Sequence, residues 1–288
     1  MTSDRPSRTW MITGASNGLG LALATHVLKN GDQTVLAAPT LPGMAALAAA
    51  YPKTAFAVAM DVTVPEQRAA TLQASEARFG GVDVLVNNAG IDFLGAIEEQ
   101  REEDYRRLFE VNLFGVIEMI RLALPGMRRR GRGTVVNISS MDGVSSLPAT
   151  GYYSASKFAL EGLTEALWQE IEPLGLRAIT VQPGSFRTAI EQRTRFSGQP
   201  IDDYAATSGA FRRLVSSATP EMFPGDPARA AAAIWKVVIN GDSRRRIVLG
   251  SDAQRRIAAQ FDVLRAELEA GRDMAMGTDY PGSGPSIL

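Results

Sequence analysis

Trp10-Met11-Ile12-Thr13-Gly14-Ala15-Ser16-Asn17-Gly18-Leu19-Gly20 passes from an apolar strand into a glycine-rich turn, and then into the helical run 21–28. Glycines let a backbone turn sharply and come close to a phosphate. The helix N-terminus behind them offers unpaired N–H groups and a partial positive charge. Three glycines can also mark an ordinary turn, so their weight comes from their place directly after a first strand.

Outward from this unit, residues 34–38, 56–60 and 82–86 read as further strands with helical segments between them, and 134–138, 177–182 and 246–249 continue the series. Such alternation implies a parallel sheet covered by helices, here a doubly wound, Rossmann-type α/β fold of about seven strands. One domain is expected over 1–270, with a loose Gly- and Pro-rich tail at 271–288. Residues 98–130 read as one long helix interrupted by Asn112, because Asn is a poor helix-interior residue. Residues 256–269 read as an amphipathic helix with Ile257, Phe261, Leu264 and Leu268 aligned.

Residues 139–157 hold the acid/base set of the chain. The β-branched run at 134–138 delivers Ser139 and Ser140 to the carboxyl end of a strand, where open α/β sheets bind ligands. Beyond them Tyr153 and Lys157 stand one turn apart on a helix closed by Pro173. An ammonium beside a phenol stabilises the phenolate, so Lys157 is expected to lower the Tyr153 pKa from its usual value of about 10. Taken alone, the pair also fits a solvated helix face.

Together these stretches resemble the short-chain dehydrogenase/reductase family. Five features carry the resemblance: Thr13-Gly14-x-x-x-Gly18-x-Gly20, Asp61-Val62, Asn87-Asn88-Ala89-Gly90, Tyr153-x-x-x-Lys157, and Ser140 thirteen positions before that Tyr. The register sets aside Tyr152, which is followed four residues later by Ser156, and ranks Ser139 below Ser140. The resemblance implies a nicotinamide cofactor held by Gly14, Ser16, Asn17, Gly18, Leu19, Gly20, Thr40, Asp61, Val62, Asn88, Ala89 and Gly90. Tyr153 and Lys157 would bond its ribose, and Pro183, Gly184 and Thr188 would fold over its nicotinamide. It implies catalysis by Asn112, Ser140, Tyr153 and Lys157, with Asn112 kinking its helix and freeing a carbonyl for a water beside Lys157. The implied reaction interconverts a ketone or aldehyde and an alcohol, with Tyr153 as general acid/base. A non-catalytic NAD(P)H-binding regulator is the alternative, and its usual sign would be a damaged tetrad. An epimerase or dehydratase of the extended branch would carry a different glycine spacing.

The composition closes other routes. Thirty basic against thirty-one acidic residues, with a pI near 6.0, offer no field to draw nucleic acid. There is no cysteine and a single histidine, His26 in the first helix, so thiolate chemistry, Ser-His-Asp triads and metal sites lack material. No apolar leader or membrane-length run stands out, and a cytoplasmic protein without a membrane partner is expected.

Substrate contacts are expected from Ser140, Met141, Tyr153 and Phe186. Between 185 and 225 the periodicity lapses, and Phe186, Ile190, Phe196, Ile201, Tyr204, Phe211, Leu214, Met222 and Phe223 suit a lid over a mainly apolar substrate. Asp92 and Asp142 flank the expected pocket, where either could read a hydroxyl or an amine, but a solvated loop position is the first reading for each. The second strand ends at Ala38-Pro39-Thr40 with neither a carboxylate to repel a 2′-phosphate nor a cation to attract one, which points to a modest preference for NADP over NAD. Family members pair the helices carrying Asn112 and Lys157 with symmetry mates. A homodimer or homotetramer is therefore expected, with Phe109, Phe158 and Trp168 as exposed apolar contacts.

Overall fold

The fold is described from a computed structural model covering residues 5–188 and 194–284. Its first strand, β1 (Thr9–Thr13), is buried at every position. A strand covered on both faces is the mark of a parallel sheet with helices on each side, and it explains the unbroken apolar run. The chain continues through α1 (Gly18–Lys29), β2 (Gln33–Ala38), α2 (Pro42–Ala50), β3 (Ala55–Ala59), α3 (Pro65–Phe79), β4 (Val84–Asn87) and a two-residue β5 (Phe93–Leu94). Next come α4 (Glu102–Phe109), a π-helical turn (Glu110–Phe114), α5 (Gly115–Arg130), β6 (Gly133–Ile138), α6 (Gly151–Ile171) and β7 (Leu176–Pro183). The last part holds β8 (Arg195–Phe196), α7 (Ser208–Ser216), α8 (Pro227–Ile239), β9 (Arg246–Leu249), α9 (Ser251–Ala270) and α10 (Arg272–Met276).

Seven strands form one parallel sheet in the order β3-β2-β1-β4-β6-β7-β9. The order reverses at β1, whose neighbours β2 and β4 lead away on either side, so a crevice opens at the carboxyl ends of β1 and β4. One core layer packs Leu23, Val27, Ile234 and Val238 of α1 and α8 on the sheet. The other packs Met119, Met127, Leu160, Leu167 and Trp168 of α5 and α6 on the opposite face.

Several expectations are corrected. The helix expected over 98–130 starts at Glu102, and its apolar side is incomplete because Phe114 and Leu122 are exposed. Trp168 is 4% exposed, covered by the stacked guanidinium groups of Arg245 and Arg246, and so offers no interface surface; Phe109 is half-buried, while Phe158 is exposed. The stretch 185–225 is not unbroken irregular chain. It carries α7 and β8, and β8 pairs with β5 through Phe93–Arg195 and Leu94–Phe196. Two-residue strands are too short to show any period in a sequence. Ile190 lies outside the described residues. In α9 only the first turns meet the body of the domain: Ile257 is buried, but Phe261, Leu264 and Leu268 are exposed. The expected loose tail begins with α10, and residues 272–284 are exposed. No helix among the described residues is long and apolar enough to cross a membrane.

Candidate active site

The glycine loop closes tightly on the loop that follows β4. Gly14 and Gly18 have φ of +64° and +54°, in the left-handed region that glycine adopts without strain. A Cβ on Gly20 would lie 2.5 Å from both the Gly14 carbonyl oxygen and Asn88 Nδ2, so only glycine fits. Asn88 Nδ2 donates to the carbonyls of Thr13 (2.9 Å) and Gly14 (3.2 Å), while Thr13 Oγ1 accepts the N–H groups of Asn88 and Ala89 at 3.0 Å each. Behind this cradle α1 begins without a side-chain capping bond from Asn17 and without an acid in its first turn. Ser16 and Leu19 are half-buried beside it. Open helix N–H groups and a cradle that a Cβ would fill suit the pyrophosphate of a dinucleotide.

The expected adenine contacts line up along the same edge. Ala38 closes β2 in the buried core, and Thr40 stands exposed just beyond it. Burial acts to raise the Asp61 carboxyl, but hydrogen bonds from the Thr63 N–H (2.9 Å) and hydroxyl (2.8 Å) and the charge of Arg107 hold it below the usual carboxylate range. Val62 is buried against Gly115.

The four expected catalytic residues converge. The buried strand β6 delivers Ser139 and Ser140, both buried, to its carboxyl end. From α6, Lys157 is 5% exposed; its Nζ donates to the Ile138 carbonyl at 2.9 Å and lies 5.7 Å from the Tyr153 ring centre. The Tyr153 hydroxyl shares a hydrogen bond with Ser140. Asn112 sits in the π-helical turn, fully buried. Its Oδ1 accepts the Ile91 N–H (2.9 Å), and its Nδ2 donates to the Ile91 carbonyl (2.9 Å) and to Ser156 Oγ (3.3 Å). The side chain thus pins the loop that carries Gly90, where a Cβ would stand 3.5 Å from Asn112 Oδ1 and 3.8 Å from Lys157 Nζ. Tyr152 points elsewhere, stacking on Tyr105 with its hydroxyl 3.4 Å from the Ile97 carbonyl.

The charges of the site differ from expectation. Burial, then Asp142, then Asp92 push the Tyr153 phenol above its usual value, and only the Ser140 hydrogen bond opposes them. The expected lowering by Lys157 is therefore not found in this structure: the ammonium lies over the ring and bonds Ile138, while two carboxyl groups act on the phenol. Burial brings Lys157 itself down to about 8 against the pull of Asp92, Glu161 and Asp142. Asp92 and Asp142 are not solvated loop positions. Burial and the nearby Asp142 raise Asp92 to about 7, and burial raises Asp142 despite the charge of Arg256.

Further contacts were not read from the sequence. Arg256 of α9 reaches Asp142 Oδ1 at 2.6 Å and also donates to the Ser145 carbonyl. In turn Asp142 Oδ2 accepts the Ser140 hydroxyl at 3.2 Å, and the Asp142 N–H donates to Ser140 Oγ at 3.1 Å. Asp252 Oδ2 accepts the Ser185 N–H at 2.7 Å and crowds Gly184, fixing the loop after Pro183. Below the site, Asn87 donates to Asn137 (2.8 Å) and Asn137 to Thr164 (2.9 Å), joining β4, β6 and α6 by a buried polar chain. Met141 opens the half-buried turn after Ser140. Phe186 is buried against Gly225 and lines a recess with Pro224, Arg229 and Leu249. The Thr188 N–H donates to the Phe186 carbonyl at 2.8 Å.

The chain is similar to proteins of known family and known structure. A family model described as short chain dehydrogenase matches residues 8–197. A short-chain dehydrogenase from Streptomyces avermitilis is 40% identical, with a TM-score of 0.89 over 96% of this chain and 100% of that one. Oxidoreductase BOA17 of Botryotinia fuckeliana is 30% identical over 274 residues, 94% of this chain and 99% of the relative. An alcohol dehydrogenase from the archaeon Thermococcus sibiricus, solved in complex with 5-hydroxy-NADP, is 25% identical, with a TM-score of 0.69 over 85% of this chain and 96% of that one. The chain belongs to the short-chain dehydrogenase family of oxidoreductases.

Proposed function

We propose that this protein interconverts a ketone and a secondary alcohol with NAD(P)H, on a substrate whose body is mainly apolar. The convergence of Ser140, Tyr153, Lys157 and Asn112 at the carboxyl ends of β4 and β6 carries the reading. When bound, the nicotinamide supplies or accepts the hydride. In reduction, Ser140 and Tyr153 hold the carbonyl oxygen, and the Tyr153 hydroxyl gives its proton as negative charge develops there. The phenol is protonated across neutral pH, as a proton donor must be, although its raised pKa makes it a weaker acid than a free tyrosine. Oxidation runs the steps backward, with Tyr153 accepting the proton of the alcohol. The Asn112 side chain fixes the loop over Lys157, and the π-helical turn leaves a main-chain carbonyl for a water that links Lys157 to solvent. Oxidation of NAD(P)H by the purified protein with a panel of ketones tests the reading. A protein that bound NAD(P)H tightly but turned over none of them would be a regulator instead.

Cofactor choice follows from the end of β2. Ala38, Pro39 and Thr40 bring neither carboxylate nor cation, so discrimination is expected to be weak, with a modest lean to NADP. Values of kcat/KM for the two cofactors should differ by less than about tenfold, roughly 1.4 kcal/mol; a larger preference for NAD would overturn the lean. Self-association as a dimer or tetramer is supported by Phe114, Leu122 and Phe158, exposed on the π-turn, α5 and α6. Light scattering at micromolar concentration should give at least twice the chain mass, and a monomer would contradict it.

A further inference from the structure

Asp92 follows the loop pinned by Asn112 and stands immediately before β5, the strand that pairs with β8 of the 185–225 segment. It therefore lies between the catalytic lysine and the segment expected to cover the substrate, close enough for its charge to act on both Tyr153 and Lys157. Its carboxyl accepts the Phe93 N–H, yet Oδ1 is shielded from solvent and has no hydrogen-bond partner among the described residues. A buried acceptor left unpaired is costly, and a bound hydrogen-bond donor removes that cost. Asp142, the other acid of the site, is already engaged by Arg256 and Ser140.

We propose that Asp92 determines substrate specificity, its free Oδ1 accepting a hydrogen bond from a hydroxyl on the carbon next to the reacting carbonyl, so that α-hydroxy ketones and the corresponding diols are the preferred substrates. The proposal rests on the oxidoreductase reading above and narrows it. A neutral hydroxyl fits better than an ammonium, because the charges balance without one: Arg256 faces Asp142, and Lys157 acts on Asp92. Burial that favours the neutral carboxyl also favours a neutral partner. The reaction balances as ketone, hydride and the Tyr153 proton giving the diol.

Phenacyl alcohol and propiophenone differ only by a hydroxyl in place of a methyl, so their ratio reads that hydroxyl and the change of the ratio in Asp92 variants reads Asp92. With NAD(P)H and the full chain, kcat/KM for phenacyl alcohol is expected to exceed that for propiophenone by tenfold or more, since a site built to bond a hydroxyl rejects the analogue that lacks it. Asp92→Leu should bring the ratio near one, whereas Asp92→Asn, which keeps an acceptor oxygen, should retain part of it. Equal rates on the two ketones in the unaltered protein, or an equal loss on both in Asp92→Leu, would overturn the proposal. So would a preference for phenacylamine hydrochloride over the alcohol, which would mark a cation site. Turnover of neither these ketones nor the wider panel would instead sink the oxidoreductase reading itself.

Discussion

Tyr153→Phe is expected to lower the rate of ketone reduction by about 10²- to 10⁴-fold, the range a positioned general acid supplies, while NAD(P)H affinity changes by less than about threefold. The ring would keep its place on α6 and its contact with Lys157, so the transferable proton is the main loss. The hydrogen bond to Ser140 goes with it, and Ser140 keeps its second partner, Asp142. Tyr152→Phe is the matched control. It removes only a 3.4 Å contact to the Ile97 carbonyl and leaves the stack on Tyr105, so activity should stay within about threefold. Single-turnover rates together with fluorescence titration of NAD(P)H separate the two effects, and a residual rate in Tyr153→Phe above a tenth of the original would defeat the assignment.

Asp92→Asn is expected to stabilise the folded protein at alkaline pH and to lose that advantage in acid. Folded Asp92 keeps its proton to about pH 7, whereas the reference carboxyl has a pKa of 3.8. Between those values the folded state holds a proton that the unfolded chain releases, so stability falls as pH rises. The cost of the buried charge is complete above about pH 7 and absent below about pH 4. The full interval corresponds to about 4 kcal/mol, and because Lys157 is coupled to the same charge a gain of about 1–3 kcal/mol is expected for the amide near pH 8. Urea unfolding of both proteins near pH 5 and pH 8 checks this. A difference independent of pH, or a loss at pH 8, would show that the carboxylate is better compensated than its surroundings indicate.

What could be read from the sequence was whatever is local. β1 and its glycine loop, the Asn-Asn-Ala-Gly turn, and the spacing of Ser140, Tyr153 and Lys157 are each set within a short span by backbone sterics and helix geometry. The fold therefore followed from apolar runs and glycines. Asn112 stood out for the same reason, as a residue that disfavours the helix it occupies. What stayed hidden depends on contacts between distant segments. Arg256 looked like one more charge on an amphipathic helix, although it reaches a loop 114 residues earlier. Asp92 and Asp142 gave no sign of burial, because exposure is decided by α6, α9 and the β5–β8 pair, elements that meet only in three dimensions. The direction of the Tyr153 shift failed with them, since one helical neighbour was weighed without the two carboxyl groups across the site.

The bond between Arg256 and Asp142 also bears on the order in which the chain acquires activity. The nucleotide cradle is complete once β4 has been made, and the Tyr and Lys follow on α6, but the carboxylate that holds Ser140 gains its guanidinium only from the last long helix. Chains are synthesised from the N-terminus, and their early parts can begin to fold before the end emerges. A nascent or C-terminally cut chain ending before residue 256 is thus expected to reach a cofactor-binding state with a misplaced serine loop, so that competence for chemistry arrives late and as one event.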